Sequence, residues 1–195
     1  MAVIACDGQP ASDWDCRRQA RTATIAVMNP VLETERTILR PFRASDAVAS
    51  FAWFSDPEVM RFIPNGRDET VEQTAARVAR YRAHQERHGF SKWIVLDRAT
   101  GEPIGDAGFV MLPDGVRPEL GYRFARPWWG RGLATEVARA WIGVAAPWFG
   151  FTRIHAFALP ENQASRQVIE KVGFTLTAEE ELYGVKVPLY TLDLA

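Results

Sequence analysis

Residues 119–141 read ELGYRFARPWWGRGLATEVARAW, and residues 151–174 read FTRIHAFALPENQASRQVIEKVGF. Leu120, Tyr122 and Phe124 alternate with Gly121, Arg123 and Ala125, the two-residue period of a strand with one packed face. That period stops at Arg126-Pro127. Beyond Gly130-Arg131-Gly132, a helical period places Leu133, Val137, Trp141 and Val144 on one stripe. The layout is strand, glycine turn, helix. A glycine turn that opens a helix leaves several backbone N–H groups unpaired at the positive helix end, a cup suited to phosphate. Arg123, Arg126 and Arg131 make it locally basic. The turn fits neither the dinucleotide-binding G-x-G-x-x-G nor G-x-x-x-x-G-K-[ST], so its ligand has to be identified from other residues.

Downstream, Pro147 and Gly150 are expected to end the helix, and Thr152 to Ala158 forms a strand. A strand-helix-strand unit places its strands parallel and adjacent. A second helix runs from Asn162, a capping residue, to Val172, with Gly173 and Phe174 closing it. Phe174 to Glu181 and Val185 to Leu194 then read as a closing antiparallel pair.

Upstream, the core begins at Leu32, with a short strand at Thr37 to Pro41. Ala44 to Phe54 has helical spacing at Ala47, Val48, Phe51 and Phe54, and Asp56-Pro57 starts another short helix. Thr70-x-x-Gln73 fits a capping box for a helix reaching His88, with Val71, Ala75, Val78 and Tyr81 inward and an Arg- and Glu-rich face toward solvent. Lys92 to Leu96 and Glu102 to Met111 are antiparallel strands leading into the strand at Glu119. Residues 1–30 lack a sustained period and are expected to be a flexible extension to a single domain at 31–195.

Composition bounds the function. The chain has 195 residues, 47% apolar and 24% charged, and a formal charge of -1, so the basic footprint of a nucleic-acid binder is missing. The longest apolar run, Ala140 to Phe151, holds Pro147 and is too short for a membrane span. The first residues do not read as a secretory signal, which makes the cytoplasm the expectation. Cys6 and Cys16 do not suggest a disulfide framework, and scattered His84, His88 and His155 suggest no metal site.

Several stretches taken together carry a resemblance: LETERTILRPFRASDA (32–47), WFSDPEVMRF (53–62), WIVLDRATGEPIGDAGF (93–109), ELGYRF (119–124), WWGRGLATEVARAW (128–141) and PENQASRQVIEKVGF (160–174). The chain resembles the GCN5-related N-acetyltransferases, and within them the branch that acetylates the N-termini of ribosomal proteins. The resemblance implies an α/β fold: a mixed, mostly antiparallel sheet of six or seven strands flanked by helices and splayed between its fourth and fifth strands to admit acetyl-coenzyme A. The family's pyrophosphate pattern falls on Trp129, Gly132 and Ala134, with Trp129 replacing the usual Gln or Arg. Cofactor contacts are expected from Tyr122, Phe124, Trp129, Gly130, Arg131, Gly132, Leu133, Ala134, Thr135, Asn162 and Ser165.

Many relatives carry a proton-donating tyrosine seven residues after the asparagine; here that position is Ile169. Ser165 matches the serine used in this branch beside the coenzyme sulfur. The implied reaction is direct acetyl transfer to a primary amine, with Glu119 as candidate base because alkyl ammonium groups are mostly protonated at neutral pH. A backbone amide near Tyr122 is the candidate for polarising the thioester carbonyl. Trp53, Phe54, Phe62 and Tyr183 are candidate acceptor-binding residues, and Glu179 to Glu181 could attract a cationic acceptor. A peptide N-terminus and a small amine (amino acid, polyamine or aminoglycoside) remain open as acceptors. A non-catalytic acetyl-CoA sensor is the competing reading. Neither a metal, nor a nucleic acid, nor a membrane is an expected partner, and the chain is compatible with a monomer or a homodimer.

Overall fold

A computed structural model describes residues 30–64 and 66–194. The expected extension at residues 1–30, with Cys6 and Cys16, falls almost wholly outside the described residues.

The chain begins with β1 (Leu32–Glu33) and β2 (Thr37–Pro41), followed by α1 (Ala47–Phe54), α2 (Pro57–Met60) and α3 (Val71–His88). Next come β3 (Lys92–Asp97), β4 (Pro103–Met111), β5 (Pro118–Phe124), α4 (Leu133–Phe149), β6 (Arg153–Phe157), α5 (Gln163–Lys171), β7 (Thr175–Leu182) and β8 (Val185–Asp193). One mixed sheet runs in the order β1-β2-β3-β4-β5-β6-β8-β7. It has eight strands against the six or seven expected, and the eighth is the two-residue edge strand β1. Every pairing is antiparallel except β5 with β6.

That exception positions the site. β4 and β5 are in register along all seven residues of β5, from Pro118 to Phe124. β5 and β6 pair only at Glu119 and His155. Both strands run forward from that point, one held by β4 and the other by β8, and they diverge into a V. Counted from Thr37, these are the fourth and fifth strands, where the resemblance placed the splay.

α4 covers the main core. Leu133, Val137 and Trp141 are buried as their period requires, and Val144 is half-buried. Trp141 packs edge-on against Trp93 and Phe109, with ring centroids 4.9 and 5.5 Å away. Such contacts add about 0.5–1.5 kcal/mol each beyond their buried area. The helix runs through Pro147 to Phe149 and ends at left-handed Gly150, the later of the two expected breaks. A proline in the last turn forgoes one hydrogen bond without stopping the helix, and the aromatic packing of Trp148 and Phe149 offsets that loss.

The α1–α3 layer forms a second core with Phe42, Trp53, Phe54, Val78 and Ile94. Here two sequence expectations are corrected. On α1, Val48 is 72% exposed, and the buried face is Ala47, Ser50, Trp53 and Phe54. On α3, Ala75 is exposed, and the buried positions are Thr74, Arg77 and Val78. The face is rotated because Asp68, buried just before the helix, accepts hydrogen bonds from Thr74 (2.9 Å) and Arg77 (2.7 Å). At the helix start Thr70 Oγ1 accepts the Gln73 N–H, while Gln73 Oε1 accepts from Glu69 rather than Thr70.

Candidate active site

The glycine turn folds as its sequence demands. Gly130 and Gly132 have φ of 71° and 76°, a region costly for residues with a Cβ. Gly132 is the N-cap of α4, and no side chain caps the helix. The N–H groups of Leu133, Ala134 and Thr135 therefore have no intrahelical partner, since the first ladder bond runs from Glu136 N–H to the Gly132 carbonyl. The turn is pinned from outside by Arg36, a residue sequence reasoning did not select. Its guanidinium donates to the Arg131 carbonyl (2.8 Å) and to Glu136 Oε2 (2.6 Å). Arg126 ties the same corner to Asp56 at 2.7 Å. Trp129 is half-exposed and donates its indole N–H to the Phe124 carbonyl at 2.6 Å. Phe124 itself is buried in the same core cluster as Leu133. Arg131 lies over the Trp128 ring at 4.8 Å.

The V between β5 and β6 opens a cleft of about 250 Å³, lined on one side by Leu120 to Arg123 and on the other by Phe157 to Leu159, Asn162, Ser165 and Ile169. Asn162 caps α5 and accepts the Ser165 N–H at 3.2 Å with its amide oxygen, which leaves its NH2 free for another acceptor. Tyr122 crosses the V: its hydroxyl lies 3.2 Å from Ser165 Oγ and 3.1 Å from the Ser165 carbonyl. Burial pushes the Tyr122 phenol up to about 12 with Glu119 adding to the shift, and the hydrogen bond to Ser165 opposes them. The phenol is thus protonated at neutral pH. Ile169 is buried beside this pair and presents only carbon.

Glu119 sits at the apex of the V, where β5 and β6 still touch. It is 7% exposed, not a solvated strand end, and its Oε2 is 3.4 Å from Lys92 Nζ. Lys92 is the partner that sequence reasoning missed. It also donates to the Gly108 carbonyl at 2.9 Å. Burial pulls the Lys92 ammonium below its ordinary value, and Glu119 opposes that pull. Gly121 makes room for the pair, because a Cβ there would stand 2.3 Å from Lys92 Nζ and 2.8 Å from Glu119 Oε1. A lone lysine opening the apolar run KWIVL was the one available signal.

The acceptor candidates divide. Phe62 and Tyr183 line the cleft. Tyr183 is brought there by a two-residue turn with Gly184, both at positive φ, and its ring lies 6.0 Å from Phe157. Trp53 and Phe54 are fully buried behind the wall: Trp53 donates to Asp106 (3.0 Å), and Phe54 lies under the guanidiniums of Arg77 and Arg123. Arg123 forms a fork on Asp106 (2.6 Å) and reaches the Tyr81 hydroxyl (2.6 Å). The glutamate run lies elsewhere, with Glu179 on Lys186 and Glu180 on Arg117, and none of Glu179 to Glu181 lines the cleft. No described helix is long and apolar enough to cross a membrane. Among the described residues, no group of His, Cys, Asp or Glu is arranged to hold a metal.

Comparison with known proteins places these features in a family. Residues 36–175 match the acetyltransferase (GNAT) domain. An uncharacterized N-acetyltransferase of Bacillus subtilis, YoaA, is 36% identical over 149 residues, covering 75% of this chain and 84% of that protein. The crystal structure of an acetyltransferase from Agrobacterium tumefaciens superposes with a TM-score of 0.74 at 26% identity, covering 84% of this chain and 94% of that one. A ribosomal-protein-S5-alanine acetyltransferase from Vibrio fischeri shares the fold, with a TM-score of 0.70, 19% identity and coverage of 84% and 96%.

Proposed function

The chain belongs to the acetyltransferase (GNAT) domain family, and on that premise we propose that it moves the acetyl group of acetyl-CoA directly to a primary amine, either a peptide N-terminus or a small molecule. The observation that carries this reading is the V between β5 and β6 with an uncapped, glycine-opened helix N-terminus after β5 and the Tyr122–Ser165 contact across the opening. An extended arm with a phosphate group fits such a slot: the N–H groups of Gly132 to Thr135 suit the pyrophosphate, and the Asn162 NH2 suits an amide carbonyl of the arm.

Acetyl-CoA, when bound, supplies the activated thioester. The chain's residues supply proton control. Ser165 Oγ is the group we assign to the sulfur. Tyr122 donates its hydrogen bond to the Ser165 carbonyl and stays protonated, while Ser165 Oγ, 3.2 Å from the phenol oxygen, can turn its own hydrogen into the cleft. The pair thereby replaces the tyrosine that Ile169 displaces. Glu119 is the candidate for accepting the amine's proton, directly or through water, and Lys92 fixes the carboxylate's orientation. The resemblance to ribosomal-protein acetyltransferases makes a peptide N-terminus one acceptor to test.

Thiol release from acetyl-CoA across a panel of peptides, amino acids and diamines tests the proposal. We expect turnover with at least one class, and Ser165→Ala to lower kcat about 10²-fold with little change in the KM for acetyl-CoA. Tyr122→Phe should lower kcat by a smaller factor. Full turnover of Ser165→Ala with every accepted amine would refute the serine's role, and no thiol release with any amine would refute the enzyme reading.

A further inference from the structure

We propose that the acceptor amine carries a carboxylate, as a free amino acid does, and that Arg80 in the cleft binds it. This rests on the acetyl-transfer reading and narrows its acceptor.

The charges of the cleft carry the inference. Among the described residues, its charged lining comprises four cations, Arg77, Arg80, Lys92 and Arg123, and one carboxylate, Glu119. Three of the cations are already matched. Arg77 is buried against Asp68, with Nε donating to Oδ2 and Nη2 to Oδ1. Arg123 is held by Asp106, and Lys92 by Glu119. Arg80 is exposed, and among the described residues no carboxylate lies within ion-pair distance of it. Asp68 acts on it only at longer range. Arg80 is therefore the unbalanced charge of the cleft.

Its position follows from the helix period. Arg77, Arg80 and Tyr81 stand at i, i+3 and i+4 on α3, on the side that faces the cleft. Asp68 fixes that side by burying Arg77, which in turn presents Arg80 one turn further along. The guanidinium fork matches a carboxylate in two parallel hydrogen bonds, and such charge-assisted pairs are the stronger ones.

The same census argues against a polycation. Among the described residues the one lining carboxylate is paired with Lys92, Glu179 and Glu180 of β7 are paired with Lys186 and Arg117, and Glu181 does not line the cleft. A diamine or aminoglycoside would bring further positive charge against Arg80 with no free carboxylate to receive it. A zwitterionic amino acid instead presents its carboxylate to Arg80, and once it has lost its proton its amine is the nucleophile. Phe62, Ile63, Phe157 and Tyr183 give the cleft apolar walls, so phenylalanine is the chosen probe.

Two measurements test this on the full chain. The first compares kcat/KM for thiol release with phenylalanine, phenylalaninamide and 1,4-diaminobutane. The second measures binding of the products N-acetylphenylalanine and N-acetylphenylalaninamide, which need no turnover. We expect each acid to exceed its amide by about tenfold and the diamine to be the poorest acceptor. Arg80→Gln should bring the acid-to-amide ratio to about one, and Arg80→Glu should invert it. Acid and amide alike in the wild type, or a ratio that survives Arg80→Gln, would overturn the proposal. If no amine released thiol but product binding kept its dependence on Arg80, the acetyl-transfer reading would fail and the carboxylate site would stand.

Discussion

Replacing Lys92 by methionine keeps the volume of the side chain but strips the cation from a carboxylate that is almost wholly buried. Lys92 and Glu119 side chains are 7% and 9% exposed, and their charged atoms are 3.4 Å apart. At an effective dielectric constant of about 20, a pair at that separation attracts by roughly 5 kcal/mol, most of which repays the cost of taking both ions out of water. Removing one partner leaves that cost unrepaid, so Lys92→Met should lower the unfolding free energy by about 3 kcal/mol, and Glu119→Gln by about 2 kcal/mol. The double variant removes both ions. It should cost less than the sum of the singles, with a coupling energy of about 2 kcal/mol. Urea unfolding followed by tryptophan fluorescence gives the three differences at fixed pH. Additive costs within about 0.5 kcal/mol would show that the two groups are not a buried pair, and the assigned geometry at the apex of the V would be wrong.

Two further predictions concern groups at the edge of the site. His84 Nε2 accepts the Met111 N–H at 3.1 Å, so Nδ1 must donate to the Phe90 carbonyl at 2.7 Å and the ring is neutral. Burial, with His88, Lys92 and Arg87 helping, pulls it down to about 4 from 6.5. Between those values the unfolded chain binds a proton that the folded one refuses. The stability present above pH 6.5 is therefore lost as pH falls toward 4, by up to about 1.4 kcal/mol per pH unit, and His84→Gln should remove that component. Parallel urea-midpoint curves for wild type and variant from pH 7 to 4.5 would contradict this. Arg36→Ala should raise the KM for acetyl-CoA about tenfold while changing kcat and the unfolding free energy little, because the pair it breaks is partly exposed yet holds the phosphate turn. Arg36→Lys should recover only part of the loss, since one ammonium cannot span Arg131 and Glu136 as a guanidinium does; an unchanged KM for either variant would refute the bracing role.

Local signals in the sequence were read well because they depend on neighbours. The period change at Arg126-Pro127, the glycine turn, the Asn162 cap and the parallel placement of β5 and β6 all come from short-range rules of strand, helix and crossover. What escaped depends on contacts across the chain. Lys92 meets Glu119 over 27 residues, and Arg36 meets Glu136 over 100. Periodicity assigns a buried face but not the layer beyond it, so it does not tell that Trp53 and Phe54 back the cleft wall instead of forming it. Arg77 was read as solvated because an arginine among arginines carries no sign of its buried partner, and Asp68 lies before the helix period begins. The acidic run Glu179 to Glu181 suggests an attraction for cations, but Glu179 and Glu180 are held by Lys186 of β8 and by Arg117, the residue before β5.

The central claim is that acetyl-CoA enters the V with its phosphates on the turn at Gly132. Titration calorimetry of acetyl-CoA into the wild type and Gly132→Glu, with circular dichroism to show that the variant folds, tests it directly. Saturable one-to-one binding is expected of the wild type and none of the variant, which puts a side chain and a negative charge at a positive-φ position of the phosphate turn, beside Arg36. Absence of binding by the wild type, or equal binding by a folded Gly132→Glu, would contradict it.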